Sequence, residues 1–133
     1  MIFGAHILVY SNNPELDRAF FRDVLGFSSV DAGGGWLTFA LPPAEAAFHP
    51  LEVDSLTKQP ADRLSRADLY LMCDDVKETV ALLREKKVRC PEIHEERWGL
   101  RTAIPLPSGG KIGLYQPTHP MALKRARGKA KRG

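Results

Sequence analysis

Four histidines, two cysteines and two glycine runs are the residues of this chain whose types could do chemistry, and local spacing settles most of them. Cys73 lies in an apolar run and Cys90 precedes Pro91, which is neither CxxC metal spacing nor a disulfide framework, so both read as small buried fillers. His94 sits among Glu92, Glu95 and Glu96 in a polar stretch and reads as solvated, and His119, between Thr118 and Pro120, is given no role. Gly33-Gly34-Gly35 leads into Trp36 and strand formers rather than a helix N-terminus, so it is a hairpin turn and not a phosphate loop. His6 and His49 remain, each in a stretch of strand formers, and what they can do depends on the elements that carry them.

Those elements repeat. Ala5-His6-Ile7-Leu8-Val9-Tyr10 reads as a strand, Asn13 as an N-cap with Pro14 at the first helical position, and Leu16, Ala19, Phe20, Phe21 and Val24 as a helical stripe that Gly26 ends. In the second half, Ala67-Asp68-Leu69-Tyr70-Leu71-Met72 reads as a strand, Asp74-Asp75 as a cap, and Val76, Val80 and Leu83 as a stripe. Further strands are predicted at Phe27 to Val30, Trp36 to Leu41 and Ala46 to Pro50, and at Val88 to Cys90, Leu100 to Leu106 and Gly113 to Pro117. Each half is thus strand, helix, strand, strand, strand. One domain over residues 1–117 follows, with module one at 1–50, a linker at 51–66 that could form a flap, and module two at 67–117.

Charge divides unevenly along the chain. Of 19 basic residues, six (Lys124, Arg125, Arg127, Lys129, Lys131 and Arg132) lie in the last stretch, 118–133, which holds no acid, leaving 13 bases against 16 acids in the body. The tail reads as a flexible basic extension able to touch polyanions weakly, not as a nucleic-acid-binding face. No apolar run is long enough to span a bilayer and no signal pattern opens the chain, so a cytoplasmic protein with no membrane partner is expected.

Phe20-Phe21-Arg22-Asp23-Val24-Leu25-Gly26-Phe27, together with Pro107-Ser108-Gly109-Gly110-Lys111-Ile112 leading into Leu114-Tyr115-Gln116-Pro117, resembles the glyoxalase/bleomycin-resistance/extradiol-dioxygenase (vicinal oxygen chelate) superfamily over about residues 3 to 117. The resemblance implies an α+β fold of two tandem βαβββ modules whose curved mixed sheets enclose a cavity, with helices outside. It also implies metal ligands on the first and last strands of each module. At those positions this chain carries His6, Asp68, Ala46 and Gly113, and the last two offer no side-chain donor. His49 faces away from the ligand side by strict alternation, but a bulge before Pro50 would return it and make His6, His49 and Asp68 a His, His, carboxylate set.

Alternation also turns Tyr10 toward the side of His6, Tyr70 and Met72 toward that of Asp68, and Tyr115 toward that of Gly113. His6, Tyr10, Tyr70, Met72 and Tyr115 are therefore the expected ligand-binding residues of a partly aromatic cavity; Trp36 and Trp98 either line it or fill the core. Three functions stay open. One is a domain that binds a small, partly aromatic molecule with a degenerate or absent metal site. Another is a divalent-metal-dependent lyase, isomerase or dioxygenase using His6, His49 and Asp68. The third is a scaffold engaged through the basic tail. The cofactor is accordingly none or one divalent metal ion, and the resemblance implies a homodimer.

Overall fold

Two helices of equal length, α1 (Pro14–Asp23) and α2 (Val76–Glu85), start 62 residues apart (76 − 14) and end 62 apart (85 − 23). Their N-caps keep the same offset. In the computed structural model, which describes residues 1–50 and 64–123, Asn13 Oδ1 accepts from the Leu16 amide at 3.2 Å and Asp75 Oδ1 from the Glu78 amide at 3.1 Å. Each bond satisfies one of the amides that a first helical turn leaves without a backbone partner. Gly26, at φ 75, ends the first helix in the left-handed conformation that a residue with a Cβ adopts at a cost. The two helix ends then meet, as Lys86 Nζ donates to the Val24 carbonyl at 3.1 Å across the same offset of 62.

Six strands complete the described fold: β1 (Ser29–Asp31), β2 (Leu37–Phe39), β3 (Tyr70–Met72), β4 (His94–Glu96), β5 (Gly99–Pro105) and β6 (Lys111–Pro117). β1 and β2 form an antiparallel hairpin, while the second module forms a four-stranded mixed sheet in the order β3-β6-β5-β4, with β3 parallel to β6. The fold is α+β with the helices outside the sheets, and module two is a complete βαβββ unit.

One core serves both modules. Val76, Val80 and Leu83, spaced to share a helix face, pack with Ile104, Ile112 and Leu114 from β5 and β6, and Phe20 of α1 joins the same buried cluster. Phe21 turns the other way to meet the rings of Phe27 and Phe39, each at 5.5 Å between centroids, which fixes the hairpin on α1. The side-chain oxygen of the half-buried Gln116 accepts from the Val76 amide at 3.0 Å, so β6 also caps α2.

Local elements differ from expectation at several places. Residues 5–10 and 46–50 lie outside any strand among the described residues. Pro42 and Pro43 remove successive amide donors just before the closing segment, and a first strand has nothing to pair with when that neighbour is lost. Val88 and Cys90 are buried without strand pairing, held because Thr102 Oγ1 donates to the Pro91 carbonyl at 2.8 Å; the strand forms instead at His94–Glu96, so His94 lies on an edge strand and not in a loop. Most of the proposed linker, 51–63, and the tail from 124 to 133 lie outside the described residues. No helix among the described residues is long and apolar enough to cross a membrane.

Asp17 joins the modules through a polar contact. It is 9% exposed, and its carboxylate accepts from Ser11 Oγ (2.6 Å), Ser108 Oγ (2.6 Å) and the Ser108 amide (3.1 Å). Asp17→Ala leaves those donors without an acceptor, and urea unfolding should show a loss of about 1 to 3 kcal/mol. A loss within about 0.5 kcal/mol, the range of ordinary surface changes, would contradict this role.

Candidate functional site on the open face of the second sheet

Pairing register decides which side chains share the face of the sheet away from α2. Gly113 pairs with both Tyr70 and Ala103, Tyr115 with both Met72 and Arg101, and Lys111 with Pro105. Paired residues lie on one face, so Tyr70, Met72, Arg101, Lys111, Gly113 and Tyr115 stand together, opposite the buried Ile104, Ile112 and Leu114. The face is open because only the helix side is covered.

Aromatic rings dominate one end of it. Tyr70, Trp98 and Tyr115 meet edge to face in all three pairings, with centroids 6.1 Å (Tyr70 to Trp98), 5.8 Å (Tyr70 to Tyr115) and 5.1 Å (Trp98 to Tyr115) apart. Edge-to-face contacts direct the positive rim of one ring at the negative face of the next, which makes the group rigid. Tyr70 in addition lies directly over Gly113. A Cβ built on Gly113 would strike Cδ2 of the Tyr70 ring and come within 2.5 Å of Cε2 and 2.7 Å of Cγ. Only a residue without a side chain permits that approach.

His119 supports the cluster from beyond β6. Its Nδ1 lies 2.7 Å from the Pro120 carbonyl, which can only accept, so Nδ1 carries a hydrogen; in the neutral ring Nε2 then accepts from the Tyr115 hydroxyl at 3.0 Å. Burial, followed by the nearby Glu45 carboxylate and Tyr70, raises the Tyr115 phenol above its ordinary value, so it is a neutral donor at physiological pH. Glu45 Oε1 accepts from the Ala122 and Leu123 amides at 2.7 and 3.1 Å, fastening the segment after β6 to module one. Neither role was legible in sequence, where His119 stood beyond the last strand with no partner in reach.

A cavity of about 420 Å³ opens beside the rings, lined by Tyr70, Asp68, Arg101, Ala103, Lys111 and Gly113 on the sheet side and by Ile7 to Tyr10 on the other. The structure therefore brings Tyr10, Tyr70 and Asp68 to one hollow. Met72 borders a second, apolar hollow of about 300 Å³ between the helix ends and the sheet, with Val24, Leu25 and Leu82. Trp98 belongs to the aromatic cluster, whereas Trp36 is 63% exposed beneath the Arg18 guanidinium, 4.5 Å from its ring centre. Burial raises the Cys73 and Cys90 thiols, which keeps them protonated and suits their packing role.

The donors present among the described residues do not converge as the divalent metal implied by the resemblance would require. His6 and His49 are exposed and neither lines the cavity, while Asp68, with its side chain 63% exposed, faces Arg66 Nη2 at 3.5 Å. Among the described residues no group of three or more His, Cys, Asp or Glu side chains converges. At Gly113 an aromatic ring fills the space a donor side chain would need. As arranged here these residues do not fit a metal, and no step is derived through one.

Tyr70 and Gly113 should therefore be energetically coupled. Gly113→Ala should cost about 1 to 3 kcal/mol, the usual cost of overpacking, and much less on a Tyr70→Ala background. Chemical denaturation of the four proteins of this cycle measures the coupling, and additive losses would show that the ring does not rest on Gly113.

No protein-family model matches the chain, and no curated protein sequence does. Solved structures do. The chain is similar to TnmS3, an antibiotic binding protein from Streptomyces sp. CB03234, with 26% identity, a TM-score of 0.60 and coverage of 89% of this chain and 99% of that one. It is also similar to a glyoxalase/bleomycin resistance protein from the same organism, with 26% identity over 81% of this chain and 95% of that one and a TM-score of 0.53. A lactoylglutathione lyase from Agrobacterium tumefaciens shares the fold at 17% identity, with a TM-score of 0.55 and coverage of 81% and 88%.

Proposed function

We propose, from the premise that this chain has the fold of the glyoxalase/bleomycin-resistance (vicinal oxygen chelate) superfamily, that it is a binding domain for a small planar aromatic molecule. The observation that carries the reading is the Tyr70 ring resting on Gly113 at the wall of the cavity. Where a metal-dependent relative needs a donor, this chain presents a held aromatic surface, and such a surface favours ring over oxygen chemistry. That TnmS3 is an antibiotic binding protein of similar fold supports binding rather than turnover. Fold alone fixes neither, so the argument rests on the face itself.

Titration calorimetry with naphthalene methanol, a neutral planar compound, tests the reading. Saturable heat is expected, and Tyr70→Ala should weaken binding about threefold to tenfold, the equivalent of one aromatic contact of about 0.5 to 1.5 kcal/mol. Absence of saturable heat with this compound and with its carboxylate and methylamine counterparts would remove the reading.

A second copy of this chain is part of the proposal. Met1, Ile2, Phe3, Leu8 and Tyr10 are all at least 60% exposed, and residues 1–10 make no hydrogen bond among the described residues. A run of strand formers with free backbone groups and apolar side chains is a template for pairing, and β3 at the edge of the sheet offers the same chain as complement. Light scattering should give the mass of two chains, and Leu8→Glu should give that of one. A single-chain mass for the unmodified protein would contradict this partner.

A further inference from the structure

The cavity lining has a sign of charge opposite to that of the body around it. Outside the last stretch the chain has 13 basic and 16 acidic residues, yet the cavity is lined by Arg101 and Lys111 against one acid, Asp68, which already faces Arg66 at 3.5 Å. From this we infer that the ligand of the proposed binding site is an aromatic acid, its ring against Tyr70 and its carboxylate received by Arg101 and Lys111. The inference rests on the binding reading above and adds the chemical class of the ligand.

The placement of the two cations supports it. Arg101 is on β5 and Lys111 on β6, on one face, with the paired residues Ala103 and Gly113 between them. Ala103 presents only a methyl group and the Tyr70 ring covers Gly113, so the floor between the cations is apolar and partly aromatic. Lys111 pairs with Pro105, four residues from Arg101, so the two α-carbons are roughly 13 Å apart at about 3.3 Å per residue. The Arg101 side chain leans toward Glu96, which pairs with Gly99, so Lys111 faces it from the opposite end of the floor and a ligand lies between the two cations.

Arg101 is also held in position. Its Nε donates to Glu96 Oε2 at 2.6 Å, which fixes the plane of the guanidinium, while the two terminal nitrogens have no partner among the described residues. Those are the nitrogens that meet a carboxylate in a two-pronged pair. Lys111 is exposed and has no hydrogen bond or ion pair among the described residues. Glu96 offsets part of the arginine's charge, so Lys111 supplies the excess and Arg101 the geometry.

The test compares three compounds with one ring system: naphthalene carboxylate, naphthalene methanol and naphthalene methylamine, titrated into the full chain by calorimetry. The carboxylate should bind at least tenfold more tightly than the alcohol, and the amine most weakly. In the Arg101→Gln/Lys111→Gln protein the carboxylate-to-alcohol ratio should fall toward one. Lys111→Gln alone, at an exposed position, should reduce the ratio partly, and Arg101→Lys should retain more of it than Arg101→Gln. Equal affinity for acid and alcohol in the unmodified protein, a preference for the amine, or a ratio unchanged in the double variant would overturn the inference while leaving the binding reading in place. Failure of all three compounds to bind would overturn both.

Discussion

Contact between the Tyr70 ring and the bare α-carbon of Gly113 organises the rest of the site. The ring can approach the strand this closely only because residue 113 has no side chain. Once there it is the partner against which Trp98 and Tyr115 set their edges, and it forms one wall of the cavity. The same contact occupies the volume in which a ligating side chain would stand. The glycine, which stands where the resemblance implies a donor, is in space the seat of an aromatic ring.

The support for that face comes from the whole chain. The sheet that displays it is packed from behind by Val76, Val80 and Leu83, and α1 contributes Phe20 to the same cluster. Asp17 ties α1 to the turn between β5 and β6, and Lys86 ties the end of α2 to the end of α1. The two helices are therefore joined at their C-terminal ends, and α1 is also tied to the turn of the sheet they brace. Glu45 and His119 secure the other side, joining the end of module one to the segment that steadies Tyr115.

Sequence reading succeeded where a local rule is strong. Both helices and both caps were legible, since Asn13-Pro14 and Asp75 start helices by short-range chemistry and the stripe Val76, Val80, Leu83 has only one face to offer. The last two strands were found within two residues of their ends because turn residues bracket them. Strands that depend on a distant neighbour were harder. Val88 to Cys90 has strand composition, but its burial is met by side-chain packing and one bond from Thr102, and the pairing moved to His94–Glu96. Residues 5–10 have strand composition too, yet composition does not supply a partner.

The site was legible in outline and not in mechanism. Of the ligand-binding residues expected from alternation, Tyr10 and Tyr70 line the cavity, whereas His6, Met72 and Tyr115 do not; Asp68, which the resemblance places at a ligand position, borders the same cavity. His6, at a position where the resemblance implies a ligand, and His49, which a bulge before Pro50 would turn to the same side, are both exposed. Arg101 lies on the strand face that the cavity opens on. Asp17 and His119 could not be found by pattern, since each is defined by partners 91 and 4 residues away that only the fold brings into reach.

Proton NMR of the α-hydrogens of Gly113 tests the central contact most directly, because a ring lying over an α-carbon shields its hydrogens. The account predicts Gly113 α-resonances displaced strongly upfield in the unmodified protein and returned to ordinary strand positions in Tyr70→Leu. Ordinary positions in both proteins would contradict it.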